Sequence, residues 1–315
     1  MNTLIPPRVE GTLRLKDGRK LGYAEFGPAA GLPLLWFHGT PGARRQIAPE
    51  TRRLALKKGV RIICIERPGV GDSTPHRHAC IGDFANDVGE LADAMSLDRF
   101  GVAGLSGGGP FALACAARMP DRVVVAAILG GVAPAHGPDA AKGAASEGWR
   151  RVGGVVGPLH RPLGSLLQGA IYALTPLAEQ CIKTFSRFMP PGDQRVFADP
   201  LVREMFLDDL ILGSRGNMQA IFLDTRLFAR DWGFRLADIR VPVYLIYGDA
   251  DTIVPIEHGH HIASRIPHAN LHVRAEAGHL GGLEASAEII DVLLTAWHKG
   301  TLDDGDQPRG HKSTH

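Results

Sequence analysis

Cysteine is scarce. The chain of 315 residues has four, Cys64, Cys80, Cys115 and Cys181, and no two form a CxxC pair. The spacing excludes a thiolate zinc site and a dithiol redox motif and offers no disulfide framework. Cys64 and Cys115 read as small buried apolar residues. A long basic run is also missing: Lys+Arg is 35, Asp+Glu is 33 and the net charge is +2. That near balance argues against nucleic acid as a partner. No stretch is long and apolar enough to span a bilayer, and the opening MNTLIPPRVEG has no apolar core of signal-peptide length. The expectation is a soluble, cytoplasmic protein with no membrane span. No internal repeat is present.

What the chain does have is apolar residues, at 44%, enough for one large α/β domain or a core with an insertion. GTLRLKDGRKLGYAEFG (11–27) alternates around Asp17-Gly18 and predicts a β-hairpin. LPLLWFHG (32–39), RIICIERPG (61–69), RFGVAGLS (99–106), RVVVAAILGG (122–131) and VPVYLIYGDAD (241–251) contain short continuous apolar runs, as strands buried on both faces do. Helical patterns separate them: PETRRLALKKG ends at Gly59, the segment 81–97 starts with Asp83 as a candidate N-cap, and a third stops at Pro120. The β-α-β-α-β order predicts right-handed crossovers and a doubly wound, mostly parallel sheet. The rhythm breaks between about Pro134 and Asp238, where amphipathic helices dominate. The expected division is an α/β core of residues 1–133 and 239–300, an inserted helical cap at 134–238 and a disordered tail at 301–315.

GVAGLSGGGP (101–110) contains G-x-S-x-G at Gly104, Ser106 and Gly108. A serine on a sharp strand-to-helix turn leaves no room for bulky residues two places to either side. The turn lifts Oγ above the carboxyl edge of the sheet, beside the positive end of a helix. Pro110 suits the first turn, where an N–H is not needed. Serine needs a base, and the base needs a carboxylate to orient it. YGDADTIVP offers Asp249 or Asp251 just after one predicted strand, and EAGHLGG offers His279 just after the next.

With these residues together, the chain resembles the α/β-hydrolase superfamily from about Gly11 to Gly300. The resemblance implies an α/β-hydrolase fold, and it selects Asp251 as the acid because Gly248, Asp251 and Pro255 match that family's spacing. It implies that WFHGTPGARR carries the oxyanion-hole loop, with the backbone N–H groups of Thr40 and Gly107 facing the developing oxyanion. The Thr40 hydroxyl is a possible third donor, and His38 and Gly39 support the loop. ERPGVGDS (66–73) also matches and reads as scaffold. The implied chemistry is Ser106 as nucleophile, His279 as base and Asp251 as orienter, acting on a small-molecule carboxylic ester or related acyl substrate without metal or cofactor.

The serine disfavours the superfamily's dehalogenases and epoxide hydrolases, which carry aspartate at the elbow. Proline iminopeptidases typically have HGGPG where this chain has HGTPG, and they need an acid for the substrate amine, for which Glu147, Glu179 and Glu204 are candidates. Perhydrolases, thioesterases and C–C hydrolases share the triad, and a non-catalytic ligand receptor on the same fold is the alternative from another class. His258, His260 and His261 read as a surface helix rather than a metal site. Asp208-Asp209 reads as solvated helix surface, and Trp149, Phe185, Phe188, Phe206, Phe222, Phe228 and Trp232 read as cap core. DDGDQ (303–307) lacks the glutamate and flanking helices of a calcium loop.

Overall fold

The computed structural model describes residues 3–142, 160–216 and 218–305. An eight-stranded sheet runs in the order β1-β2-β4-β3-β5-β6-β7-β8. β1 (Val9–Arg14) and β2 (Lys20–Phe26) form the expected antiparallel hairpin, with Gly18 at φ 89° in its turn. β2 is antiparallel to β4 (Val60–Ile65), and every later pairing is parallel: β3 (Leu32–Phe37), β5 (Phe100–Leu105), β6 (Val123–Leu129), β7 (Val243–Gly248) and β8 (Ala269–Arg274). This is the doubly wound sheet that the motif order predicts.

Both faces are covered, which explains the unbroken apolar runs. Along β3, Leu35 and Phe37 face one layer, built by α2 (Phe84–Ala94) and α3 (Gly109–Arg118). Leu34 and Trp36 face the other, where α1 (Pro49–Lys58) supplies Leu54 and Ala55. α1 ends at Gly59 in the left-handed region, as its sequence predicts. Asp83 does not cap α2 through that helix's own N–H groups. It ends a short 3₁₀ turn and accepts from Ala79 N and Cys80 N upstream, because the extra turn moves the true entry back to Cys80.

Between β6 and β7 the described residues contain five helices: α4 (His160–Leu174), α5 (Ala178–Ser186), α6 (Pro191–Ala198), α7 (Pro200–Ser214) and α8 (Gln219–Phe228). α9 (Glu257–Ala263) then links β7 to β8, and α10 (Ser286–Gly305) packs beside α1. The expected disordered tail starts too early, since α10 continues through residues 301–305. Residues 306–315, and with them part of DDGDQ, lie outside the described residues. The aromatics also divide. Phe228 and Trp232 join the core layer of α2 and α3, Phe188 is 84% exposed, and Trp149 and the Phe185 side chain lie outside what is described.

The strand order switches direction between β3 and β5, so the loops leaving their carboxyl ends open a crevice there. The backbone is tight at this point. A Cβ on Gly108 would lie 2.1 Å from Phe37 O, and one on Gly104 would lie 2.5 Å from Gly108 O. Gly108→Ala is therefore expected to destabilise the fold by about 1–3 kcal/mol or more, read as a lower urea midpoint. An unchanged midpoint would show that the contact yields freely.

Candidate active site

Ser106 follows β5 directly, with φ 51°, and starts a short 3₁₀ turn that runs into α3 with Pro110 in its first turn. A positive φ on a non-glycine residue is strained and is held only by firm surroundings. The two glycines whose Cβ atoms would collide provide those surroundings. The result is a hydroxyl displayed above the sheet edge.

His279 and Asp251 arrive from the far end of the sheet. Asp251 lies in the loop after β7, and His279 opens a 3₁₀ turn (His279–Glu284) after β8. His279 Nε2 is 2.8 Å from Ser106 Oγ, and Nδ1 is 2.7 Å from Asp251 Oδ2. A carboxylate only accepts, so Nδ1 carries the proton and Nε2 is left to accept from the serine hydroxyl. The other oxygen of Asp251 accepts from Ile253 N and Val254 N, each at 2.8 Å, which fixes its plane. Asp249 instead accepts from Glu276 N and is exposed. Of the two candidate acids, the fold brings Asp251 to the histidine and leaves Asp249 as a loop tie.

The HGTPG loop leaves β3 next to Ser106. A Cβ on Gly107 would lie 2.4 Å from Thr40 Oγ1, so Thr40 and Gly107 are in contact. The Thr40 hydroxyl is not free to serve as a third donor: it donates to Asp224 Oδ2 at 3.0 Å and accepts from Arg67 Nη2 at 2.8 Å. His38 is fully buried. Its Nδ1 donates to Gly39 O and its Nε2 accepts from Arg67 N. Burial, reinforced by the Arg67 charge, pushes the His38 imidazolium well below the usual histidine range. Through these bonds His38 links Gly39 O to the N–H of Arg67.

Several supports were not singled out from sequence. Arg67, 1% exposed, donates to His38 O, Gly39 O, Thr40 Oγ1 and Asp224 Oδ2. The ERPG turn is scaffold as expected, but scaffold for this loop in particular. Gln46 Oε1 accepts from Gly39 N, and its Nε2 donates to Pro41 O. Asp209, read above as solvated, is 1% exposed; its carboxylate accepts from Ala43 N at 2.8 Å and Arg45 N at 2.9 Å. Helix α7 lays it against the loop, and burial pushes its carboxyl up to about 7. Asp208 does face outward, paired with Arg45. His258 also departs from expectation. It is buried and its Nδ1 accepts from Ala133 N, while His261 contacts Asp139 O. Among the described residues no group of side chains is placed to hold a metal.

A cavity of about 310 Å³ opens over Ser106 and His279. The loop residues Gly39 and Thr40 form one wall. Ile182, Met189, Phe197, Phe206 and Leu210 of the inserted segment form the opposite, apolar wall, and Phe197 and Phe206 stand 5.1 Å apart, ring to ring. Among the described residues that line it there is no lysine or arginine, and Asp209 is the one carboxylate.

Asp209 makes a prediction about pH. Its carboxyl titrates near 7 when folded and near 3.8 when unfolded, so the stability linked to its protonation is fully present below about 3.8 and is lost as pH rises through about 7. Relative to wild type, Asp209→Asn should therefore gain on the order of a few kcal/mol between pH 4 and pH 8. Urea unfolding at both pH values checks this, and a difference that does not move with pH would refute it.

Comparison with known proteins places this chain in a family. The alpha/beta hydrolase fold profile matches residues 33–286. A stretch of 124 residues is 33% identical to a proline iminopeptidase of Arabidopsis thaliana, covering 38% of this chain and 32% of that protein, so the chain spans about a third of that relative's length. Over 289 residues it is 26% identical to 2-hydroxy-6-oxononadienedioate/2-hydroxy-6-oxononatrienedioate hydrolase 2 of Pseudomonas putida, covering 89% and 93%. The solved structure of an alpha/beta hydrolase fold protein from Nakamurella multipartita superposes with a TM-score of 0.67 at 24% identity, covering 90% and 99%. No helix among the described residues is long and apolar enough to cross a membrane. With its sheet order, its serine elbow and a match that runs through most of its length, the chain belongs to the alpha/beta hydrolase fold family and is a hydrolase of that fold.

Proposed function

We propose that the protein is a serine hydrolase that cleaves a carboxylic ester or related acyl compound with an uncharged, apolar acyl portion. The observation that carries this reading is His279 standing between Ser106 Oγ and Asp251 Oδ2, at 2.8 and 2.7 Å, on the floor of an apolar cavity. Ser106 Oγ attacks the carbonyl carbon while His279 Nε2 takes its proton, and Asp251 stabilises the resulting imidazolium. The N–H groups of Thr40 and Gly107 bind the oxyanion. The tetrahedral intermediate collapses to an acyl-serine as His279 protonates the departing alkoxide. Water, deprotonated by His279, then attacks the acyl carbon, and the acid leaves with Ser106 restored. The inserted helices act as a cap whose apolar wall receives the acyl chain.

The lining also weighs between chemistries on this fold. An aminopeptidase needs a carboxylate free for the substrate amine. Glu179 is exposed and paired with Lys183, Glu204 is exposed outside the cavity, Asp209 already accepts from two backbone N–H groups, and Glu147 lies outside the described residues. A dianionic substrate, such as the dioate in the Pseudomonas relative's name, would meet no cation among the described residues of this lining. An apolar neutral acyl group leaves no charge unpaired.

The test is hydrolysis of p-nitrophenyl esters of increasing acyl length. Ser106→Ala and His279→Ala should each lower kcat by about 10³-fold or more, and Ser106→Ala with unchanged turnover would refute the reading. Tight binding of esters with no turnover would favour the receptor alternative. Phe206→Ala enlarges the apolar wall. It should raise the kcat/KM ratio of long over short acyl chains about 10-fold, measured across the same panel.

A further inference from the structure

Asp193 has no part in the chemistry described so far, and its burial needs a reason. It occupies the third position of α6 and is 0% exposed. Its Oδ2 accepts from His279 N at 3.1 Å and its Oδ1 from Leu280 N at 2.7 Å. These are the first two N–H groups of the 3₁₀ turn that starts at His279, where no earlier turn supplies acceptors. A carboxylate from a distant helix therefore caps the turn that carries the proposed base.

The surrounding backbone is shaped for this approach. A Cβ on Gly278 would lie 2.4 Å from the Asp193 carboxyl carbon, and one on Gly192 would lie 2.5 Å from Glu276 O. Only glycine at both places lets the two segments close to this distance. Arg195, one residue beyond Gln194 on the same helix, donates to Glu276 O at 3.2 Å. From the other side, Asp249 accepts from Glu276 N and Ala250 N donates to Ala277 O. The His279 segment is gripped between the loop that carries Asp251 and the helix α6.

We infer that Asp193 is a positioning residue for the reaction: through its two backbone hydrogen bonds, the cap sets the place of His279 relative to Ser106 and Asp251. The inference rests on the proposed role of His279. A core-only site would hold its histidine by the sheet and neighbouring loops, but here the inserted helix completes the hold. Burial raises the Asp193 carboxyl above the usual range, and the two backbone N–H groups it accepts from act against that rise. A side chain needed only for packing would be easier to supply as a neutral one.

The experiment compares wild type, Asp193→Asn and Asp193→Ala on p-nitrophenyl butyrate. It adds thermal melts and amide hydrogen exchange of the peptide that contains His279 and Leu280. Asp193→Ala should lose about 10²-fold in kcat, with KM held within about threefold. Asp193→Asn, which keeps one acceptor, should fall between it and wild type. Exchange in the His279 peptide should quicken about 10-fold while β5 stays protected. A folded Asp193→Ala with wild-type kcat, a change confined to KM, or unchanged exchange would overturn the inference. If Asp193→Ala does not fold, Asp193→Asn decides by the same readings. If wild type turns over no ester, or Ser106→Ala keeps its activity, the hydrolase reading fails. The exchange measurement still decides whether Asp193 holds His279.

Discussion

Between the carbonyl oxygens of Phe37 and His38 and the backbone of Gly108 there is no space for a side chain, since a Cβ would lie 2.1 and 2.6 Å from them. This contact lets α3 start directly against the end of β3, and much of the site follows from it. It leaves Ser106 in the left-handed region and brings the HGTPG loop against Gly107. Relaxing it by one methyl group would push helix and strand apart, and Thr40 and Ser106 would separate with them. The strain at one serine is held by the packing of a whole parallel sheet, whose buried faces leave little freedom to yield.

A second layer of organisation comes from buried carboxylates on the inserted helices. Asp193 on α6 grips the His279 turn, Asp209 on α7 grips Ala43 and Arg45, and Asp224 on α8 meets Thr40 and Arg67. Each is nearly or fully buried, and among the described residues the first two form no ion pair. A lone buried charge is costly. Paired backbone N–H groups offset part of that cost, and the carboxyls of Asp193 and Asp209 are both raised. The inserted helices and the core loops are thereby joined by directional bonds as well as by apolar contact, so the geometry around Ser106 belongs to both.

Legibility differed by the range of the interaction. GLSGG was readable because its constraint is local: a strand, a turn and a helix within ten residues, with glycine where the backbone closes. The continuous apolar runs were readable because burial on both faces imposes one composition. Asp209 reads as solvated in the sequence because its helix shows little one-sided patterning, and the partners that bury it lie more than 160 residues away. His258 reads as a surface residue for a similar reason: its partner, the N–H of Ala133, lies far earlier in the chain. Asp193 and Gln46 are not legible, and Arg67 is legible only as part of the ERPG turn, since a polar residue that holds a distant backbone carries no motif of its own.

By itself the sequence determined the order of strands and helices, the serine elbow and the short set of residues able to act with it, since each depends on neighbours along the chain. It left Asp249 and Asp251 as equivalent acids until a family resemblance separated them. Their difference is an orientation, in which Asp249 ties to Glu276 N while Asp251 reaches the imidazole. Only the tertiary structure decided that, along with the commitment of the Thr40 hydroxyl to Asp224, the apolar wall over Ser106 and the hold of Asp193 on His279. Hydrogen bonds require atoms within about 3 Å of one another, and residues far apart in the chain reach that distance only when the whole fold has closed.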